Sequence, residues 1–249
     1  MKWRIWVKWW FFPGVNLHAR QRFLRLAKHF KVAAIRGDRC VLDAGSGNGM
    51  LAFQSWRRMN EVTGVSFKAS EVHGCRSLFN GYLGIPQSEL RFIEGNLYAL
   101  DFPECTFDEI ICSETLEHLR RDEAVCRDFW RLLKPGGVLH LCAPNAKHAY
   151  NASFPLDENE TGGHVRPGYT LETYAQLLEP IGFRITESEN LGGPIRQFFN
   201  RYIKETQARL GAWAGVPLFL IAQLFLPFEL RARERAEPFS IYIRAVKPD

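Results

Sequence analysis

Three glycines at alternate positions lie in the stretch 41–50, which reads VLDAGSGNGM. An apolar run, an acid, a glycine-rich turn and then a helical pattern predict a strand, a tight turn and a helix start. Because Gly45, Gly47 and Gly49 have no Cβ atom, the backbone can turn sharply and a ligand can lie against it, facing the amides of the next helix. The turn is a candidate binding site, although tight loops in other α/β proteins share the pattern.

Asp43 indicates which ligand suits this turn. A carboxylate at the end of a strand repels a pyrophosphate but pairs with an ammonium group, often through water. The spacing GxGxG also differs from the dinucleotide fingerprint GxGxxG, because Met50 stands where a third glycine or alanine would be. Both features favour a cofactor with a cationic amino-acid end over a dinucleotide.

The rest of the chain alternates between predicted strands and helices, which is typical of a parallel sheet with right-handed crossovers. The predicted strands are 40–44, 61–65, 90–93, 107–112, 138–143, 183–189 and 239–246. The predicted helices are 17–32, 50–59, 69–82, 121–133 and 171–178. We therefore expect one α/β domain over 17–249, a doubly wound, mostly parallel seven-stranded sheet, with an apolar helical insertion over 194–236 between the last two strands. Ligands of such a sheet bind beyond the carboxyl ends of its strands.

Composition limits the class of protein. A chain of 249 residues with 46% hydrophobic residues is long enough to bury one large core. The six cysteines contain no CxxC pair and several lie in apolar runs, which is typical of reduced cysteines in a cytosolic protein. We accordingly expect no disulfide and no metal site.

The segment 1–16 differs from the domain that follows. It begins MKWRIWVKWWFF, and residues 1–40 hold ten Lys or Arg against the single acid Asp38. Without an uninterrupted apolar core or a small-residue cleavage site, it is not a signal peptide. Trp3, Trp6 and Trp10 share a helical face with basic neighbours, which suits a membrane headgroup layer. Packing onto the domain as a lid explains the same residues, whereas nucleic-acid binding is disfavoured because no recognition motif accompanies them.

Four stretches, in this order, resemble the class I S-adenosylmethionine-dependent methyltransferases, specifically the small-molecule branch called type 11. They are VLDAGSGNG at 41–49, EVTGVS at 61–66, FIEGNLYALDFPECTFDEIICSETLEHL at 92–119 and LLKPGGVLHLCAPN at 132–145. The resemblance covers roughly residues 17–190. It implies a Rossmann-like fold, S-adenosylmethionine as the cofactor and methyl transfer as the activity.

The resemblance also implies roles for single residues. In the family the glycine turn cradles the methionine half of the cofactor, the end of strand two receives the ribose hydroxyls, and a residue pair after strand three brackets the adenine. The cofactor-binding residues expected here are Asp43, Gly45, Ser46, Gly47, Gly49, Ser66, Phe67, Asn96, Leu97 and Ser113. Arg20 or Arg22, on the helix over the turn, can meet the cofactor's carboxylate, and our prediction names Arg20.

Two positions depart from the family pattern. Ser66 stands where the family usually has an acid that takes both ribose hydroxyls, and the next carboxylate, Glu71, is a helical turn onward. This change predicts weaker or rearranged ribose binding. Asn96 replaces the usual Asp, but its side-chain carbonyl can accept the same hydrogen bond.

Methyl transfer from a sulfonium needs an in-line approach, with a base only when the acceptor must lose a proton. Three candidates for that base lie after strands four and five: His164, His118 and Tyr169. His164 is preferred, and its competing role is to orient the helix that follows. His118 is often only structural in the family. Residues 148–170 form a long loop, which we expect to wall the acceptor site.

The insertion contains Leu210–Phe228, nineteen residues without charge. Its length permits a membrane span, but one crossing would leave the last strand on the wrong side of the bilayer. A surface-lying or re-entrant hairpin, a cover for the substrate cavity, a buried helical pair and a dimer interface all stay open. The flanking basic residues suit an anionic headgroup layer; they are Arg196, Arg201, Lys204, Arg209, Arg231, Arg233 and Arg235.

The sequence thus predicts a cytoplasmic methyltransferase, peripheral on the inner face of the membrane, that methylates a hydrophobic or lipid-linked small molecule. A soluble natural-product methyltransferase with the insertion as lid or homodimer contact is the first alternative. A membrane-associated scaffold of methyltransferase fold, prompted by Ser66, is the second. We expect no nucleic-acid partner for this protein, and we leave a homodimer open.

Overall fold

The computed structural model describes residues 15–225, 228 and 237–249. The predicted roles of Trp3, Trp6 and Trp10, and of the arginines at 231, 233 and 235, fall outside the described residues.

One seven-stranded sheet organises the described chain, in the order β3-β2-β1-β4-β5-β7-β6. Strands β1 to β5 pair in parallel, while β7 pairs antiparallel with both β5 and β6. The strands are β1 Cys40–Ala44, β2 Glu61–Ser66, β3 Leu90–Glu94, β4 Phe107–Ser113, β5 Leu133–Pro144, β6 Arg184–Leu191 and β7 Ser240–Val246. This confirms the predicted mostly parallel α/β sheet.

Helices cover both faces of the sheet. They are α1 Leu17–His29, α2 Met50–Trp56, α3 Ala69–Cys75, α4 Asp122–Leu132, α5 Ala149–Ala152, α6 Leu171–Leu178, α7 Pro194–Leu210 and α8 Val216–Phe225. A π-helical turn, Arg76–Tyr82, continues α3, and 3₁₀ turns lie at Leu116–His118, Glu179–Ile181 and Ala212–Gly215.

The largest difference from the prediction is the start of β5. The helix before it ends at Leu132, one residue before the predicted end at 133, and the strand begins at Leu133 instead of Val138. Leu133 pairs with Phe107 of β4, and the register then shifts so that Val138 pairs with Glu109. The Pro135-Gly136-Gly137 sequence therefore lies at an irregularity within β5 and not in a loop before it.

Two apolar cores lie on opposite faces of the sheet. Successive strand residues point to opposite faces, so Leu42 packs in the core with Ile110 and Phe129, while its neighbour Val41 packs in the core with Phe53. Burial on both faces explains why the strands read as continuous apolar runs.

A third, smaller apolar cluster joins the start of α1 to the insertion. Leu17, Ile203, Phe219 and Ala222 are all buried there. The insertion thus packs one face against the domain. Within the described part of the chain, no helix combines the length and the apolar character that a membrane crossing requires.

Candidate functional site

The glycine turn after β1 has a left-handed backbone at each of its three glycines, with φ of +83° at Gly45, +50° at Gly47 and +73° at Gly49. A Cβ on Gly45 would lie 2.2 Å from Thr115 Oγ1, and one on Gly49 would lie 2.8 Å from the ring of Phe79. A Cβ on Gly47 would meet no described atom within 4 Å. Gly45 and Gly49 are thus required by packing, whereas Gly47 borders open space.

That open space is a cleft of about 470 Å³ beyond the carboxyl ends of β1, β2 and β3. Its lining residues are Gly45, Gly47, Val65, Ser66, Phe67, Lys68, Glu71, Asn96, Leu97, Tyr98, Glu114, Thr115, His118, Leu119, Glu160 and Gly162. Most of the residues that were predicted to bind a cofactor meet here.

Asp43 lies behind the turn and is only 2% exposed. Its Oδ2 accepts the backbone N–H of Ala52 at 2.9 Å, which ties the strand to the start of α2. Burial raises the pKa of this carboxyl to about 7, although the Ala52 hydrogen bond works in the opposite direction. Asp43, Ser46 and Ser113 border a smaller recess of about 230 Å³ on the α1 side of the turn.

The carboxylate of Glu71 lies beside Ser66 at the end of β2. The hydroxyl of Ser66 donates a hydrogen bond to Oε2 of Glu71, and both side chains border the cleft. The first turn of α3 brings Glu71 back over the strand end, so a serine and an acid stand together where the family pattern has one acid. The sequence signal was the helical spacing between them.

The residues after β3 form the far end of the cleft. Asn96 Oδ1 accepts the backbone N–H of Tyr98 at 2.9 Å, which fixes the turn. Leu97 is 8% exposed and Phe67 is 75% exposed, and both border the cleft. Together they form an apolar slot beside a polar amide, a combination that suits a flat heterocycle.

Arg22, and not Arg20, faces the site from α1. Arg22 Nη1 lies 3.1 Å from Glu114 Oε2, and Arg22 borders the recess beside the turn. The guanidinium of Arg20 instead lies 5.7 Å from the centroid of the Phe219 ring. An α-helix turns about 100° per residue, so two residues apart point to nearly opposite sides. The structure therefore places the predicted Arg20 against the insertion.

A second cavity, of about 210 Å³, lies on the side of β5, α1 and α7. It is lined by Asn16, His18, Arg22, Glu114, Pro144, Tyr150, Asn151, Phe154, His164, Asn200, Lys204 and Phe239. Glu114 borders this cavity and the main cleft alike. Sequence reasoning missed the contribution of Asn200 and Lys204, because nothing local in the insertion shows that α7 returns to this edge.

Two histidines meet between the cleft and the second cavity. The rings of His118 and His164 lie with centroids 4.8 Å apart in an edge-to-face arrangement. His118 borders the cleft and His164 borders the second cavity. Burial, and then the charge of His118, lower the pKa of His164. His164 is therefore mostly neutral at and above the ordinary histidine pKa.

Glu117 lies beside this pair and is fully buried. Neither carboxyl oxygen has a hydrogen-bond partner among the described residues. Burial, reinforced by the charge of Glu114, raises the pKa of Glu117 well above its ordinary value. One ligand atom each of Glu117, His118 and His164 lies within 4.8 Å of the others.

Tyr169, the third predicted base, lies elsewhere. It is 3% exposed, its hydroxyl donates to Asp122 Oδ2 at 2.6 Å, and it stacks on Tyr174 at 4.8 Å. Burial, and then the bond to Asp122, raise the pKa of its phenol. Tyr169 thus anchors the loop 148–170 to α4. It lines neither the cleft nor the second cavity.

The chain is similar to known methyltransferases. Residues 42–141 match the model of the family described as "Methyltransferase domain". The chain is 34% identical over 163 residues to a ubiquinone biosynthesis O-methyltransferase of Paracidovorax citrulli, covering 63% of this chain and 64% of that protein. It is 27% identical over 103 residues to an uncharacterized methyltransferase of Mycobacterium tuberculosis, covering 41% of this chain and 49% of that one.

Among solved structures, the chain resembles phosphoethanolamine N-methyltransferase 2 of Haemonchus contortus in complex with S-adenosyl-L-methionine. The TM-score is 0.66 at 18% identity, over 97% of this chain and 56% of that one. This likeness concerns the fold. The chain spans about half to two thirds of the length of the two curated relatives described above.

Proposed function

Since this chain belongs to the class I S-adenosylmethionine-dependent methyltransferases of the type 11 family, we propose that it transfers a methyl group to the hydroxyl of a small hydrophobic molecule. The observation that carries the proposal is the meeting of two cavities at Glu114, with the His118–His164 pair between them. One cavity fits the cofactor, and the other fits an acceptor.

The residues of the main cleft fit S-adenosylmethionine. The open space beside Gly47 leaves room for the methionine half. The carboxylates of Asp43 and Glu114 both line the smaller recess and favour the cofactor's ammonium group. Arg22, which lines the same recess, favours the cofactor's carboxylate. At the other end, the Ser66–Glu71 pair suits the ribose hydroxyls, and Leu97 suits the adenine.

When bound, the cofactor supplies a methyl group on a positively charged sulfur. The chain's own task is to orient an acceptor oxygen and help it lose its proton. A neutral imidazole is required for that help. Because the pKa of His164 is lowered, its neutral form predominates above the ordinary histidine value and is lost as the pH falls through the lowered value. We therefore propose His164 as the principal activating residue, with His118 beside it.

An aromatic acceptor suits the second cavity. Tyr150, Phe154 and Phe239 contribute rings to its lining, and about 210 Å³ accommodates a single substituted ring. The relative from Paracidovorax citrulli is named as an O-methyltransferase of ubiquinone biosynthesis. We propose a phenolic hydroxyl as the methyl acceptor.

We place this chemistry at a membrane surface. Leu210, Trp213 and Leu224 of the insertion are 76%, 79% and 72% exposed, a concentration of large apolar side chains that suits an interfacial contact. Arg201, Lys204 and Arg209 on α7 are exposed nearby and suit anionic headgroups. Since Asn200 and Lys204 also line the second cavity, a lipid-linked acceptor can reach it from this side. The proposed location is the cytoplasmic face of the membrane.

A transfer assay tests the proposed acceptor. The full chain is incubated with methyl-labelled S-adenosylmethionine and a catechol, either bearing a prenyl tail in anionic vesicles or without the tail. We expect transfer to both, with a kcat/KM at least about tenfold higher for the tailed acceptor, because the tail adds buried apolar area. Equal rates favour the soluble alternative, and cofactor binding without transfer to either compound contradicts the phenolic acceptor.

A sedimentation assay tests the membrane contact. The wild type should sediment with phosphatidylglycerol vesicles at low salt and less at high salt, because salt screens the exposed cations. The variant Leu220→Ser/Leu224→Ser should sediment less while its Tm stays near that of the wild type. A wild type that stays in the supernatant at low salt contradicts the membrane contact and leaves a lid or a homodimer interface.

A separate binding measurement tests the scaffold alternative. Failure of the wild type to bind S-adenosylhomocysteine at all would favour it.

A further inference from the structure

Glu117 is an unusual buried carboxyl group. It lies on the 3₁₀ turn Leu116–His118 directly after β4, is 0% exposed, and neither of its oxygens has a hydrogen-bond partner among the described residues. Buried carboxylates in proteins are hydrogen-bonded, paired with a cation, or bound to a metal. Its surroundings therefore have to supply a partner.

The imidazoles of His118 and His164 lie close enough to Glu117 to bind the same cation. Ligand atoms of Glu117, His118 and His164 all lie within 4.8 Å of one another. In a tetrahedral site with bonds of about 2.1 Å, two ligand atoms lie about 3.4 Å apart. Rotation of the three side chains would therefore have to bring the farthest pair closer by about 1.4 Å.

His118 is held as metal-binding histidines usually are. His118 Nδ1 lies 2.8 Å from the carbonyl oxygen of Gly163, so the Nδ1–H donates to it and Nε2 is left as an acceptor. His164 Nδ1 is buried and has no partner among the described residues. Nδ1 of His164 and both carboxyl oxygens of Glu117 are thus buried groups that have no hydrogen-bond partner among the described residues.

The backbone fixes the distance between the two elements that carry these ligands. The N–H of Val165 donates to the carbonyl of Glu117 at 2.8 Å. The carboxylate of Asp157 accepts the N–H groups of Thr161 and Gly163. The loop therefore presents His164 to the 3₁₀ turn in a defined position.

We propose that Glu117, His118 and His164 bind a divalent transition-metal ion such as Mn²⁺, with its open positions toward the second cavity. Two imidazoles and one carboxylate form a donor set that Mn²⁺, Zn²⁺ and Fe²⁺ accept, and three protein ligands leave room for water or an acceptor. This departs from the expectation of no metal site, which was drawn from the cysteines. The ligands come instead from the 3₁₀ turn after β4 and from a distant loop.

The ion would deepen the proposed function, on which this step rests: the neutral imidazole of His164 then activates the acceptor as a ligand of the ion and does not itself take the proton. An acceptor hydroxyl bound to the ion loses its proton at a lower pH. The O–H bond breaks, its electron pair stays on the oxygen, and the proton passes to water in the second cavity. The oxygen then forms the bond to the methyl carbon as the carbon–sulfur bond breaks and its electron pair stays on the sulfur.

Binding of Mn²⁺ alone tests the site without an acceptor. The chain, free of any histidine tag, is titrated with Mn²⁺, and the unbound ion is measured by its electron paramagnetic resonance signal. We expect about one Mn²⁺ per wild-type chain, and an affinity lower by more than about tenfold in Glu117→Gln and in His164→Ala, because each removes a direct ligand. The matched control is His73→Ala, which removes an exposed histidine of α3 and should bind like the wild type.

Two readings would overturn the cation site. One is a wild type that binds no Mn²⁺ up to millimolar concentrations, and the other is a Glu117→Gln variant with unchanged affinity. Calorimetric binding of S-adenosylhomocysteine shows that each variant is folded. Labelled methyl transfer is measured in parallel with and without a chelator. If the chain binds no Mn²⁺ and still transfers the methyl group in the presence of a chelator, the cation site is wrong and the proposed function stands.

Discussion

The two sides of the active cleft are built differently. The cofactor side consists mostly of short turns that follow consecutive strands, although Glu160 and Gly162 of the long loop and Arg22 of α1 also line it. The acceptor side collects Asn16 from the residue before α1, His164 from a long loop and Lys204 from α7. The difference shows that local sequence patterns specify a cofactor site, whereas an acceptor site depends on how distant segments pack.

The largest effect that separates the two sides should follow from His164→Ala. We expect kcat to fall by about 10²–10⁴-fold while the affinity for S-adenosylhomocysteine stays near that of the wild type, because His164 borders only the acceptor cavity. Tyr169→Phe is the comparison variant. It removes one hydrogen bond to Asp122 and should cost about 1 kcal/mol of stability with kcat changed by less than about threefold.

Steady-state kinetics and thermal midpoints measure both variants. A loss below about threefold in His164→Ala would reassign that residue to structure. A large loss of kcat in Tyr169→Phe with an unchanged midpoint would return Tyr169 to the chemistry.

The insertion offers a second comparison, between the two faces of α8. Phe219 is 2% exposed and packs in the cluster with Leu17, while Leu224 is 72% exposed. Phe219→Ala should lower the free energy of unfolding by about 3–5 kcal/mol through lost burial and a cavity. Leu224→Ser should change it by less than about 0.5 kcal/mol. Chemical denaturation measures both, and equal losses would mean that α8 is buried on both faces in solution, as in a dimer.

A smaller effect should come from Asp43. Its raised pKa of about 7 means that the carboxyl is neutral below that pH and charged above it. A cationic ligand binds the charged form better, so affinity for S-adenosylhomocysteine should rise by up to about tenfold between pH 6 and 8, with proton release at the lower pH. Asp43→Asn should remove this dependence. A wild-type affinity that is flat over this range would exclude an ion pair between Asp43 and the cofactor.

Much of the fold followed from the sequence because strand and turn signals are local. The predicted strand 40–44 and helix 171–178 coincide with β1 and α6. The early start of β5 could not be predicted, because Leu133 becomes a strand residue only through its pairing with Phe107. Strand pairing thus overrode the loop that Pro135-Gly136-Gly137 predicted between the helix and the strand.

Local sequence signals predicted part of the site, and the rest depends on how distant segments pack. Glu71 was visible as a carboxylate one helical turn from Ser66, but only the packing of α3 shows that the two side chains meet. Arg20 and Arg22 could not be told apart without the angle at which α1 crosses the turn. The grouping of Glu117 with His164 left no sequence signal, because a loop of unknown path separates them.

The central claim is that the open space at Gly47 holds the cofactor. Gly47 and Gly37 both have left-handed backbones, with φ of +50° and +89°, and a Cβ on either would meet no described atom within 4 Å. Alanine therefore introduces a similar backbone cost of about 1–2 kcal/mol at both, but only Gly47 borders the cleft. Calorimetric titration with S-adenosylhomocysteine should show binding to the wild type and to Gly37→Ala, and a loss of at least about a hundredfold in Gly47→Ala. Equal affinity of the two alanine variants, in chains that remain folded, would contradict the claim.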